Sequence, residues 1–288
     1  MNSPRATVSK ILTYSIVDGP GNRLVIFLQG CNFDCTACHN PHTIGECNHC
    51  GDCVPACHAD ALSLVDGCIV FNPLTCDQCD DCLAACPIDA NPMVRDYSVA
   101  DILELARKHL PFLTGITVSG GEPTKQLKFV VALFEAIKLD DELAGLDCFI
   151  DSNGYLGATG WESLLPFTDG VMLDIKSFDD DLHRELAGKG HGKSLQSARL
   201  LHEAGKLYEL RFLLVPGVTD SDEELDGLID FVRTLGGEVR VKLNAFQHHG
   251  VRPEALAWEK MSREGVERAA ERLREAGVSN VVTPAVYL

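Results

Sequence analysis

Cys31-Asn32-Phe33-Asp34-Cys35-Thr36-Ala37-Cys38 comes just after the apolar run Leu24-Val25-Ile26-Phe27-Leu28. Three thiolates at x3 and x2 spacing on one tight loop can hold three corners of a cubane iron–sulfur cluster, which normally takes four thiolates. No fourth cysteine belongs to this loop, so one iron is left open to a ligand. A metal site with an open position is reactive, whereas a closed one is structural or an electron relay. Zinc is the competing reading. Zinc fingers pair a C-x2–4-C with a second, distant pair, and this loop does not have that form.

Around this loop the chain has the composition of a globular protein. It has 288 residues, 45% of them hydrophobic, enough for one large domain or a domain with an insert. A net charge of −17 makes nucleic acid and anionic membrane poor partners. No apolar run reaches the length of a membrane span, and the opening residues do not read as a signal peptide. Thirteen cysteines, clustered in C-x2-C units, point to metal in a reducing compartment rather than to disulfides. The expectation is a soluble cytoplasmic protein working where oxygen is scarce.

Residues 45–92 have a different texture. Cys47-x2-Cys50-x2-Cys53-x3-Cys57 is followed by Cys76-x2-Cys79-x2-Cys82-x3-Cys86-Pro87. Two copies of this run mark a bacterial two-cluster ferredoxin module, in which the fourth cysteine of each run ligates the other cluster. The spacing therefore assigns Cys47, Cys50, Cys53 and Cys86 to one [4Fe–4S] cluster, and Cys57, Cys76, Cys79 and Cys82 to a second. His58 stands where the first run would carry proline. Cys68 and Cys148 fall outside the pattern and receive no role.

From residue 98 onward, helical and strand patterns alternate. Ser98 can cap a helix over 99–109. Strand runs at 24–28, 116–119, 148–150, 171–173, 212–215 and 239–243 are separated by helical periods. About six βα units with a parallel sheet result, too few for a full eightfold barrel once the insert is set aside. The expected fold is α/β, a partial (β/α)6 TIM-like barrel formed by 1–44 and 93–288, with the ferredoxin-like domain inserted at 45–92. A doubly wound sheet fits the same periodicity.

In parallel α/β folds, chemistry collects at the carboxyl ends of strands. The polar signals fall there: the cysteine loop, Ser119-Gly120-Gly121-Glu122-Pro123, Asp151-Ser152-Asn153-Gly154, Asp174-Ile175-Lys176, Arg211 with Pro216-Gly217, and Asn244 through His249. Asp174 and Lys176 lie two apart, so both point to one strand face. Plain turns and solvated ion pairs account for each string taken alone.

The CxxxCxxC loop resembles the signature of the radical S-adenosylmethionine (SAM) superfamily, with Ala37 where that family usually has a large apolar residue. Asp18-Gly19-Pro20-Gly21-Asn22-Arg23 resembles the segment preceding that loop in glycine radical enzyme activases. The resemblance implies that Gly120, Gly121, Glu122 and Pro123 bind the methionine amino group of SAM. It implies that Asp151, Ser152, Met172, Asp174 and Lys176 line the SAM pocket and a monovalent cation site. Arg211 and the Val215-Pro216-Gly217 string match as well. For the cofactor contact in the sixth strand's loop, Gln247 and His248 remain equal candidates.

The implied cofactors are three [4Fe–4S] clusters and SAM. The implied partners are a glycyl radical enzyme, as protein substrate, and a flavodoxin or ferredoxin electron donor. No side chain is needed as an acid or base, because cluster and SAM carry the chemistry. A radical SAM enzyme acting on a small molecule or peptide is the alternative. An electron-transfer protein that merely carries clusters is a third reading.

Overall fold

Apolar runs become strands and amphipathic stretches become helices, in two units. A computed structural model describes residues 4–285; residues 1–3 and 286–288, at the ends of the expected barrel segments, lie outside the described residues. One unit comprises the chain up to Asn32 together with Asn40–Cys148; the other comprises Phe33–His39 and the chain from Phe149 onward.

In the first unit, β1 (Arg5–Ser15) pairs antiparallel with β2 (Arg23–Leu28). Within 45–92, β3 (Leu62–Val65) and β4 (Cys68–Phe71) form an antiparallel hairpin, followed by the short helix α1 (Asp81–Ala84). An isolated parallel bridge joins Gly45 to Ala90. β5 (Arg95–Ser98) pairs with the start of β1, and α2 (Val99–His109) follows. The expected Ser98 cap is present as a capping box: Ser98 accepts from the Asp101 N–H while Asp101 accepts from the Ser98 N–H. β6 (Gly115–Gly120) lies parallel to β2, with Leu24 opposite Ile116 and Leu28 opposite Gly120, and leads to α3 (Leu127–Leu139).

β1 goes beyond the sequence expectation, in which the first strand run is 24–28. Ala6 and Val8 are its only buried apolar residues, and the rest is mixed or polar. It therefore carries little period-two signal. Arg23 closes this region from inside. It is fully buried and donates to Thr117 Oγ1 at 2.7 Å and to the carbonyls of Pro20, Ile116 and Asp147 at 2.9 Å.

The second unit is a parallel ladder. β7 (Asp147–Ser152), β8 (Gly170–Ile175), β9 (Leu207–Leu214), β10 (Val241–Ala245) and β11 (Val281–Val282) pair in that order. Between them run α4 (Ala158–Leu164), α5 (Asp180–Ala187), α6 (Gly192–Glu203), α7 (Asp222–Thr234) and α8 (Arg263–Glu275). The strands read as continuous apolar runs because both faces are covered; Val171, Met172 and Leu173 are wholly buried. α4 has only 7 residues, too few for a helical period to stand out. Among the described residues, no helix is long and apolar enough to cross a membrane.

Candidate active site and cysteine clusters

The cysteine loop is held by backbone bonds. In the first unit, the N–H of Gly30 donates to Thr43 O at 2.8 Å, and that of Cys31 to Ile44 O at 3.0 Å. In the second, the N–H groups of Asp34 and Thr36 donate to the carbonyls of Ala187 and Leu186 at 3.1 and 3.0 Å. Those carbonyls end α5, where helical oxygens lack intrahelical partners, so the helix terminus and the loop satisfy each other. Phe33 is the wedge. It is 2% exposed and meets Tyr155 and His183 edge-on, at ring distances of 5.4 and 5.6 Å. Asp34 takes Arg252 Nη2 at 2.5 Å. His39 Nε2 donates to Gln247 O at 3.2 Å, and burial holds the His39 imidazole below its ordinary pKa.

Cys35 lies near the end of β8. Burial pushes its thiol up to about 11, against the pull of the Lys176 ammonium. Lys176 Nζ donates to Asp174 Oδ2 at 2.8 Å. Burial opposes the charge on Lys176, but Asp174 and the nearby Cys35 outweigh it and hold its pKa above the ordinary range. Burial likewise opposes the Asp174 carboxylate, while Lys176 and Arg211 hold its pKa below the usual value.

On β9, Arg211 is engaged on three sides. Its Nη1 lies 3.1 Å from Asp151 Oδ1, its Nε 2.8 Å from Glu209 Oε1, and its Nη2 2.8 Å from Met172 Sδ. Glu209 Oε2 also accepts from Arg240 Nε at 2.7 Å. Lys242 on β10 is pushed below its ordinary pKa by burial and then by Arg211. Ser152 is buried, and its Oγ accepts from the Gly154 N–H at 3.0 Å. Asp151, Asp174, Lys176, Arg211 and Cys35 thus share one charged neighbourhood. His248 is turned elsewhere, with Nε2 2.7 Å from Trp258 O and its ring edge-on to Phe246. The Gln247 amide donates to Met261 O at 3.2 Å. Glu209, Lys242 and His39 had no motif to mark them; only strand register and loop packing bring them here.

The glycine-rich turn belongs to the first unit. Gly120 sits at φ +126, and a Cβ on it would fall 2.2 Å from the Leu28 backbone. A Cβ on Gly121 would fall 2.4 Å from Gly30 O and 2.6 Å from Thr43 O. Glycine is therefore required by the close approach of this turn to the backbone that enters the cysteine loop. The Glu122 N–H donates to Gly30 O at 2.8 Å. The buried Glu122 carboxylate folds back and accepts from Thr124 N and Oγ1 at 3.0 and 2.6 Å, beside buried Pro123.

In residues 45–92 the two runs repeat their local geometry. The N–H of His49 points to Cys47 Sγ and that of Gln78 to Cys76 Sγ, each at 3.4 Å. The N–H of Ala61 points to Cys57 Sγ at 3.2 Å, and that of Ala90 to Cys86 Sγ at 3.3 Å. His49 and Gln78, and likewise Asp60 and Asp89, share left-handed backbone at matching positions. Backbone N–H groups aimed at sulfur suit cluster ligands. Cys53 is raised by burial and feels Cys47, Cys50 and Cys86. Cys82 is pushed up to about 11 by burial and feels Cys53, Cys57, Cys76 and Cys79. Cys57, Cys76, Cys79 and Cys82, with Leu62, Phe71 and Met93, line one pocket. His58, at the proline position, pairs with Asp77 at 2.7 Å.

A strand that ends in CxxxCxxC, lying parallel to one that ends in Gly-Gly-Glu-Pro, sets a particular class. Residues 25–232 match the radical SAM superfamily, and the chain belongs to it. Its α/β fold, with mostly parallel strands, is the partial-barrel class expected from the strand count. Within the superfamily the chain belongs with the activating enzymes of glycyl radical enzymes. It is 30% identical to the pyruvate formate-lyase-activating enzyme of Streptococcus mutans, over 84% of this chain and 78% of that protein. It is also 30% identical to the trans-4-hydroxy-L-proline dehydratase activating enzyme of Clostridioides difficile, over 91% of both chains. Among solved structures, a radical SAM methyltransferase from Sphaerobacter thermophilus shares the fold at TM-score 0.59 and 16% identity, covering 98% of this chain and 77% of that one.

Proposed function

We propose that this chain activates a glycyl radical enzyme. With a [4Fe–4S] cluster and SAM bound, these groups supply a one-electron cleavage to methionine and a 5′-deoxyadenosyl radical, which takes a hydrogen atom from a backbone glycine of the partner. The protein's part is to hold, orient and exclude water. The thiolates of Cys31, Cys35 and Cys38 hold three irons, and the Lys176 charge favours Cys35 as thiolate. The turn Gly120–Pro123 offers backbone groups to the amino end of SAM. Asp151, Ser152, Asp174, Lys176 and Arg211 orient the rest, with room for a monovalent cation beside the carboxylates; His248 stays a candidate through its loop.

Cys47, Cys50, Cys53 and Cys86 hold a second cluster, and Cys57, Cys76, Cys79 and Cys82 a third. Their coordination is closed, so they relay electrons from a flavodoxin or ferredoxin or stiffen the insert. The setting is a reducing, oxygen-poor cytoplasm, away from nucleic acid and membrane. The observation that carries this reading is the placement of Cys35 beside the Asp174–Lys176 pair, in a chain 30% identical to an activating enzyme along 91% of its length.

The test is electron paramagnetic resonance on anaerobically reconstituted, reduced protein with SAM and candidate glycyl radical enzymes. A glycyl doublet is expected with the cognate partner. 5′-Deoxyadenosine formation without a doublet across all candidates would move the assignment to a small-molecule or peptide substrate. Cys35→Ala should abolish 5′-deoxyadenosine while leaving about two thirds of the bound iron, the share of the two closed clusters. Retained cleavage in that variant would refute the loop assignment.

A further inference from the structure

Glu209 is a buried carboxylate, 3% exposed, held between two guanidinium groups. Its Oε1 takes Arg211 Nε at 2.8 Å and its Oε2 takes Arg240 Nε at 2.7 Å. Arg211 then reaches Asp151 at 3.1 Å. Charges therefore alternate in a row, Arg240, Glu209, Arg211, Asp151, and the inner end of that row lies at the strand ends. Arg240 is 35% exposed, so solvent screens the outer end but not the middle.

We infer that Glu209 is a positioning residue that acts through Arg211 and sets the negative potential offered to the sulfonium of SAM. This rests on the proposed binding of SAM at these strand ends. Glu209 occupies the Nε side of Arg211, so the guanidinium is oriented and partly neutralised before it meets Asp151. Asp151 and Asp174 thereby keep part of their negative charge for a cation. Without the Glu209 charge, Arg211 turns its full positive charge on those two carboxylates. A sulfonium then loses attraction, whereas a neutral thioether of the same shape does not.

The experiment is calorimetric titration of cluster-loaded protein with SAM and with S-adenosylhomocysteine, its neutral thioether counterpart. Glu209→Gln keeps the shape and removes the charge. It should weaken SAM by about tenfold and S-adenosylhomocysteine by less than about threefold, the asymmetry expected when one buried charge is lost. Arg240→Gln should shift the preference the other way, towards SAM, because Glu209 then answers to Arg211 alone. Equal weakening of both ligands by Glu209→Gln would mean a packing role and overturn the inference, as would no change. If Glu209→Gln does not fold, Arg240→Gln, at the more exposed end of the row, decides: an unchanged or reduced preference for SAM overturns it. Wild-type protein that binds neither ligand overturns the proposed function and this inference together. Wild-type binding with an unmoved preference overturns this inference alone.

Discussion

The loop 31–38 and the insert 45–92 both carry thiols at short spacing, but they are built from different materials. The loop borrows its shape from its surroundings: the last carbonyls of α5, the Phe33 wedge, the Asp34–Arg252 pair and the Lys176 charge. The insert has little to borrow. It contains no lysine or arginine. Its small core is Cys53, Leu62 and Cys82, with partly buried Val54, Ile69, Phe71, Leu83 and Met93 around them. Four of its aspartates, Asp60, Asp66, Asp80 and Asp89, sit in left-handed backbone, which costs free energy in a non-glycine residue. On the proposed ligand sets, a segment with so small a core draws folding energy from its metal. In the proposed assignment the open site is thus shaped by the fold, and the closed sites shape the fold around them.

Iron removal tests that contrast most severely. Chelated protein should lose hydrogen-exchange protection throughout 45–92, while β7–β11 stay protected; an insert that remains as protected as the ladder would break the comparison. Next in size is Phe33→Ala. It removes a fully buried ring and should cost about 3–5 kcal/mol in denaturant unfolding. It should also deplete the loop's iron while sparing the insert's spectrum; an unchanged midpoint would mean that the loop does not depend on its wedge.

The smallest effect is a pH dependence at His183. This side chain is fully buried, with Nδ1 2.5 Å from Lys189 O, and burial holds its pKa below the ordinary 6.5. The unfolded chain therefore takes up the proton first as pH falls. The stability contributed by neutral His183 is complete above that ordinary value and is lost as pH drops through the lower folded one. His183→Gln should reduce the fall in melting temperature between about pH 7.5 and pH 5.5 by a few degrees. An identical fall in both proteins would remove His183 from the support of the loop.

The parts of the candidate site that are legible in the sequence are those whose proposed chemistry requires a fixed spacing. CxxxCxxC and the doubled C-x2-C-x2-C-x3-C carry their geometry in local order, as do Gly120 and Gly121, whose missing side chains make a close backbone approach possible. Strand runs such as 171–173 are legible because burial on both faces leaves no polar position. Glu209 is not legible. Its partners Arg211 and Arg240 meet it only through the register of β9 and the approach to β10, and an acid in a strand otherwise reads as a solvated face. His39 looks like a loop residue until it meets Gln247 O. β1 is lost because its long outer half exposes Tyr14 and leaves Ile11 and Leu12 only partly covered.

The bridge between Gly45 and Ala90 has a consequence for the history of such chains. The polypeptide leaves the cysteine-loop region and returns to it at nearly one point, and the Gln29 amide secures the departure by donating to Gly45 O at 2.5 Å. Everything between those two residues is a detour whose ends already touch. Such a cassette can be gained, lost or exchanged in evolution without re-threading the strands on either side.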